Sequence, residues 1–201
     1  MSIILKERKG EYKRKTLETE IAVKINLDGK GINNLQTDIY FLNHMLALFA
    51  RHGLFDLEVK ARGDFEVDYH HTVEDIGICL GEAIKNALQG KKGINRYGFA
   101  ILPMDESLVQ LALDLSGRGQ LIYKVQFKHE KVGSFEVNLV EEFFRALSYH
   151  AGITLHINLL YGKNSHHIIE AIFKALGRAL DEASSQDNRI DDIPSTKGII
   201  D

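Results

Sequence analysis

Apolar residues alternate along TEIAVKINL (19–27), with Ile21, Val23, Ile25 and Leu27 on one side, which is the period of a half-buried strand. DGKG (28–31) is a hairpin-turn signal, and INNLQTD after it is expected to return as the partner strand. Over FLNHMLALFAR (41–51) the period becomes helical, and Gly53 is placed to stop that helix. LEVKARGDFEVDY alternates on both sides of Gly63-Asp64, predicting two more strands that deliver the chain to His70. A helical run, DIGICLGEAIKNAL, follows and ends near QGKKG (89–93).

The same order then repeats. SLVQLALDL (107–115) alternates, SGRG turns and QLIYKVQF (120–127) returns; LVEEFFRALSYH (139–150) reads as a helix, ITLHINLLYG (153–162) as a strand, and SHHIIEAIFKALGRALDEA (165–183) as the second helix. Aligning the helices pairs His44 with Glu142 and His52 with His150, 98 residues apart. Such a period is too long for a solenoid and points to a duplicated half-domain. The expected fold is α+β, an internal duplication of two ββαβ(β)α halves with sheets packed against a layer of helices. The halves run over about 8–92 and 93–185, in a single domain closed by a polar tail at 186–201.

With 201 residues, 44% hydrophobic and 26% charged, the chain can bury a substantial core. A net charge of −3 gives no pull toward nucleic acid or anionic membrane, so neither is expected as a partner. The apolar run at 3–5 is too short for a signal peptide, and no stretch approaches the roughly 18 apolar residues of a membrane span. One cysteine, Cys79, excludes an intrachain disulfide and suits a reducing compartment, so the expected location is cytoplasmic.

Chemistry concentrates in HHTVE (70–74) and its second copy HHIIE (166–170). On a helix His70, His71 and Glu74 fall at about 0°, 100° and 40°, on one face of the first turn. Two imidazoles and a carboxylate are ligands for divalent metal, and adjacent histidines diverging by about 100° more naturally serve two ions than one. Solvated helix-start residues would explain Glu74 and Glu170, which the helix dipole favours, but not four histidines at paired positions. His44 lies among core-type residues, where a lone histidine is usually a hydrogen-bonded core residue. Its repeat partner Glu142 is also a possible ligand, and that balances the two readings. His52 and His150 close their helices, where a structural role is as good as a chemical one. His129 and His156 are assigned no chemistry.

Nitrogen and carboxylate ligands suit Mn, Fe, Zn or Co rather than Ca or Mg, and two such ions could act as Lewis acids. Glu18 and Glu20 stand where the first strand begins. Arg96, Arg118 and Lys174 are singly unremarkable surface charges, as is PSTKG (194–198), but around a metal site they suit a phosphorylated substrate. No GxGxxG, Walker loop, GxSxG or zinc-ribbon CxxC occurs. Two other readings stand beside a metal-dependent enzyme. A di-iron carboxylate protein uses Glu-x-x-His on a four-helix bundle, but here the order is reversed and strands separate the helices. A non-catalytic protein whose metal clusters only join subunits is the other. Neither has a use for Glu18.

The motifs RKTLETEIAVKINLDG, FLNHMLALFARHGLFDL, HHTVEDIG, GINRYG, MDESL, DLSGR, LVEEFFRAL, GITLHI, GKNSHHIIEAIFKALGRAL and PSTKG cover about residues 8–199. In these the chain resembles the imidazoleglycerol-phosphate dehydratase family, lyases of histidine biosynthesis. The resemblance implies dehydration of D-erythro-imidazole glycerol phosphate to imidazole acetol phosphate, through a metal-bound imidazolate and a diazafulvene-like intermediate. It implies two Mn2+ ions per active site and no redox cofactor. The implied metal ligands are His44, His70, His71 and Glu74 from the first half and Glu142, His166, His167 and Glu170 from the second. Glu18 matches the family's acid/base glutamate and, with His71 and Glu170, makes the implied catalytic set. Glu18, His52, Arg96, Arg118, Lys174, Ser195, Thr196 and Lys197 are the implied substrate contacts. The family assembles as a 24-subunit homo-oligomeric shell with active sites between subunits, which implies a tail ordered only there. Tyr69 replaces the family's usual Asp and removes a candidate carboxylate beside the histidines. Glu142 stands where some members have His, and Asn43 where many have Asp.

Overall fold

Ile21, Val23 and Ile25 are buried while Glu20 and Lys24 are exposed, so the alternation in this stretch does form a one-sided strand. The structure, a computed structural model, describes residues 8–200, and the apolar run at 3–5 lies outside them. The first half runs β1 (Lys9–Lys15), β2 (Glu20–Asn26), β3 (Asn33–Gln36), α1 (Tyr40–Gly53), β4 (Asp56–Arg62) and α2 (His70–Leu88). The second runs β5 (Tyr97–Met104), β6 (Ser107–Asp114), β7 (Gln120–Lys124), β8 (Lys131–Val132), β9 (Phe135–Glu136), α3 (Asn138–Ala151), β10 (Thr154–Tyr161) and α4 (Ser165–Ser184). The two main sheets share one topology, β1-β2-β4-β3 and β5-β6-β10-β7. In each, the first three neighbours pair antiparallel and the last strand joins parallel.

Three expectations about strands are corrected. First, β1 and β5 were not anticipated. β1 reads KGEYKRK, with no apolar alternation, because only Gly10 is fully buried along it while Tyr12 packs partly on the core. Second, the DGKG and SGRG turns do not close hairpins. β3 pairs with β4 from Asn33↔Leu57 to Gln36↔Lys60, and β7 pairs with β10 from Thr154↔Gln120, because alternation fixes the buried face of a strand and not its neighbour. Third, no strand follows Gly63-Asp64. Val67 N–H donates to the Asp64 carbonyl at 2.9 Å in a turn, and Val67 is exposed.

The buried face of each sheet lies on helices of its own half, α2 on β1 and β2, α4 on β5 and β6. The helices of the two halves then pack on each other as α1 with α4 and α2 with α3. Glycines let these layers meet. A Cβ on Gly10 would stand 1.9 Å from the Ala83 carbonyl oxygen, and one on Gly98 would stand 1.9 Å from that of Ala179. Gly53 is the last residue of α1, and Leu54 takes the left-handed position at φ 56°. What Gly53 permits is close packing, since a Cβ there would come within 2.8 Å of the Gly177 carbonyl oxygen on α4. Phe143 and Phe144 of α3 pack on Phe173 of α4 with centroids 5.3 and 5.0 Å apart, and burying each ring stabilises by about 1.5–3 kcal/mol. Cys79 is buried within α2, and burial pushes its thiol up to about 12. Among the described residues no helix is long and apolar enough to cross a membrane.

Candidate active site

The crossing of α1 over α4 carries His44 of the first half to the histidine motif of the second. His44 Nε2 lies 3.0 Å from Glu170 Oε1, and the His44 and His166 rings are 5.8 Å apart. One ligand atom from each of His44, His166 and Glu170 lies within 4.8 Å of the others. Two imidazole nitrogens and a carboxylate at that spacing can close on one first-row divalent ion, whose bonds to such ligands are about 2.0–2.2 Å. The Glu170 side chain is 8% exposed and that of His44 47%, so the cluster opens outward on the His44 side. Lys174 Nζ lies 3.3 Å from Glu170 Oε2 and 3.2 Å from Met104 Sδ. Burial pushes the Glu170 carboxyl up, but Lys174 and then His44 outweigh it and hold the group below the usual glutamate range. Burial also pushes His166 down, toward the neutral form a metal ligand requires. The edge of His166 packs on Phe41, whose ring meets Phe135 of β9 at 5.1 Å, an apolar wall to one side.

The first-half motif is less complete within one chain. His70 Nε2 is 3.9 Å from Glu74 Oε2, while Glu142, the counterpart of His44 on α3, lies 3.6 Å from Arg145 Nε. Residues two before each double histidine fix the helix starts. Asp68 accepts from His70 N–H at 2.7 Å and Asn164 from His166 N–H at 3.0 Å.

His71 and His167 face elsewhere. The His70 and His71 rings stand at 90°, and those of His166 and His167 at 76°. His71 Nδ1 lies 2.9 Å from Asp64 Oδ2, and His167 Nδ1 lies 2.7 Å from Glu106 Oε2. A carboxylate at Nδ1 takes that nitrogen's proton as a hydrogen bond and leaves Nε2 as the outward lone pair, the usual way a metal-binding imidazole is oriented. Asp64 holds His71 above the ordinary histidine range, and Glu106 does the same for His167. Glu106 also accepts from the backbone N–H of Lys163 and Asn164, and its carboxyl is held well below the usual range. Glu18, in the β1–β2 turn, is more than half exposed, with Oε2 3.9 Å from His71 Nδ1.

Asp64, Asp105 and Glu106 escaped the reading of the sequence. A signal existed for the last two, since they form the β5–β6 turn that corresponds to the turn carrying Glu18, and Asp105 Oδ2 lies 3.7 Å from His167 Nε2. Tyr69 packs edge-on against Phe65, and the carboxylate that holds His71 comes from Asp64 instead.

The anion-binding candidates gather around the tail. Arg96, at φ 72°, donates through Nε and Nη2 to Asp114 at 2.8 and 3.1 Å and through Nη1 to the Pro194 carbonyl at 2.8 Å. Arg96, Arg118, Ser195, Thr196 and Lys197 together line a cavity of about 810 Å³. The tail is tied to the 93–96 loop within one chain. Asp187 N–H donates to the Gly93 carbonyl at 3.0 Å, and Gly93 N–H to that of Asp192 at 3.1 Å. Lys174 belongs to the His44 cluster and not to this cavity. His52 is half-buried on the same side of α1, where burial and then Lys174 and Arg178 push it down.

A profile of the family described as imidazoleglycerol-phosphate dehydratase matches residues 37–180. The chain is 60% identical over 194 residues to the imidazoleglycerol-phosphate dehydratase of Acetivibrio thermocellus, spanning 96% of this chain and 100% of that protein. It is 61% identical over 193 residues to that of Caldanaerobacter subterraneus subsp. tengcongensis, with the same coverage. The crystal structure of imidazoleglycerol-phosphate dehydratase from Staphylococcus aureus superposes with a TM-score of 0.81 at 41% identity, over 89% of this chain and 99% of that one. The Pyrococcus furiosus enzyme, crystallised with (S)-C348, superposes with a TM-score of 0.81 at 37% identity, over 94% and 99%.

Proposed function

Because the chain belongs to the imidazoleglycerol-phosphate dehydratase family of hydro-lyases, we propose that it dehydrates D-erythro-imidazole glycerol phosphate to imidazole acetol phosphate with the help of divalent metal, Mn2+ in particular. The observation that carries the metal requirement is the cluster of His44, His166 and Glu170, which has the donor set and spacing of a first-row ion site. His44, His70, His71, Glu74, Glu142, His166, His167 and Glu170 would hold two ions per active site. When bound, the metal supplies Lewis-acid stabilisation of the negative charge that develops on the substrate imidazole.

The remaining work falls to the side chains. Loss of a carbon-bound proton and a neighbouring hydroxyl leaves the oxidation balance unchanged, so no redox cofactor is needed. Glu18 is the general acid/base, exposed enough to meet a substrate and 3.9 Å from His71. His71 and Glu170 complete the catalytic set. Arg96, Arg118, Ser195, Thr196 and Lys197 bind the phosphate, and Lys174 and His52 lie beside the metal-binding face. Arg96 is already held by Asp114 and Pro194, which pre-orders its guanidinium for an anion.

The phosphate cavity and the histidine clusters share no residues within one chain. This supports a homo-oligomer, the family's 24-subunit shell, in which one subunit's tail completes another's site. The chain acts as a single domain with a substrate-binding tail, in the cytoplasm, without nucleic-acid or membrane partners. The test is turnover of imidazole glycerol phosphate by the purified protein and by Arg118→Ala. Losing one charge-assisted contact is expected to raise KM about 10- to 100-fold. An unchanged KM would place the phosphate elsewhere.

A further inference from the structure

Asp75 follows the metal-ligand candidate Glu74 on α2, one turn after His71, and is buried. Its Oδ1 accepts from Arg14 Nε at 2.9 Å, and its Oδ2 accepts from the Thr19 hydroxyl. Arg14 is on β1 and Thr19 leads into β2, so one carboxylate grips both limbs of the turn that carries Glu18. Inside that turn Thr16 N–H donates to the Thr19 carbonyl at 2.9 Å. The Thr16 hydroxyl oxygen accepts from the N–H groups of Glu18 and Thr19 at 3.1 and 3.0 Å.

Joining a strand to a helix does not need this network. Apolar contact does so at lower desolvation cost, since a carboxylate taken out of water must be fully paired to avoid a penalty. The second half is the internal comparison. Gly10 on Ala83 and Gly98 on Ala179 are equivalent contacts, which align Arg14 with Leu102, Thr19 with Ser107 and Asp75 with Ala171. The clamp is absent there, and the β5–β6 turn is anchored by its own carboxylate, Glu106, on His167 and two backbone N–H groups. Glu18 is not anchored in that way, lying 3.9 Å from His71, which leaves its carboxylate available for proton exchange. Its place over the helix that bears His70, His71 and Glu74 must therefore come from another group.

We infer that Asp75, through Thr19 and Arg14, is a positioning residue that sets the Glu18 carboxylate over the substrate. The inference rests on the reading of Glu18 as the acid/base. A displacement of about 1 Å at a catalytic group can cost about 100-fold in rate. In the assembled holoenzyme, Asp75→Asn is expected to lower kcat about 100-fold, leave KM within about twofold, and keep metal content unchanged. Amide hydrogen exchange in a peptide spanning 16–20 is expected to accelerate. Thr19→Val, which retains shape without the hydroxyl, should behave alike and serves if Asp75→Asn does not fold, while Thr19→Ser should restore turnover. In a Glu18→Gln background Asp75→Asn should add almost no further loss, because both changes act on one group.

An additive loss in that background, a loss of metal with the loss of turnover, or normal kcat with unchanged exchange would each overturn the proposal. Full turnover in Glu18→Gln alone would overturn the reading of Glu18, and the proposal with it. That result is distinct from failure of the clamp, in which Glu18→Gln is impaired and Asp75→Asn is not.

Discussion

Glu18→Gln is expected to lower kcat by about 100- to 10,000-fold, the range that a general acid/base contributes, while metal content and assembly stay as they were. The substitution preserves size and removes only the ability to exchange a proton. The side chain is more than half exposed, and the hydrogen bonds of its turn run through backbone groups and the Thr16 hydroxyl, so the fold does not depend on its charge. Steady-state kinetics with metal analysis of the same sample checks it. Normal dehydratase activity would show that the assigned mechanism is wrong. The variant also separates the reading from a di-iron store or a metal-stapled assembly, neither of which uses a carboxylate in this turn.

His44→Ala should have an effect of similar size by another route. It removes the most exposed of the three clustered candidate ligands and leaves Glu170 facing His166 and Lys174. Since losing a mere outer partner of a metal ligand costs about 10- to 100-fold in affinity or activity, losing the ligand itself should cost at least about 100-fold. Because the side chain is half exposed, stability should change little. Metal content per subunit, measured by elemental analysis beside a denaturant melt, checks both halves of this statement. A variant that keeps its metal and its turnover would remove His44 from the site.

The histidine motifs and the two long helices that carry them were legible because helical periodicity and repetition speak together. The central strands were legible from alternation at residues such as Ile21, Val23 and Ile25. The edge strands β1 and β5 were not, because they meet α2 and α4 through Gly10 and Gly98, residues with no side chain to register in a hydrophobic pattern. Nor does the local sequence say which elements meet in three dimensions. His44 belongs by order to the first half, yet α1 packs on α4 and brings it to the second motif. Asp64 and Glu106 lie in turns, where no period marks a residue, and only their bonds to His71 and His167 reveal what they do. Gly53 was legible as a helix end, but the physical demand on it is the approach of Gly177 on the neighbouring helix.

The most direct measurement is metal analysis of the purified protein paired with turnover of imidazole glycerol phosphate before chelation, after chelation and after Mn2+ is restored. The account predicts bound divalent metal, loss of dehydration with its removal, and recovery on Mn2+ addition. Undiminished turnover by metal-free protein would contradict it.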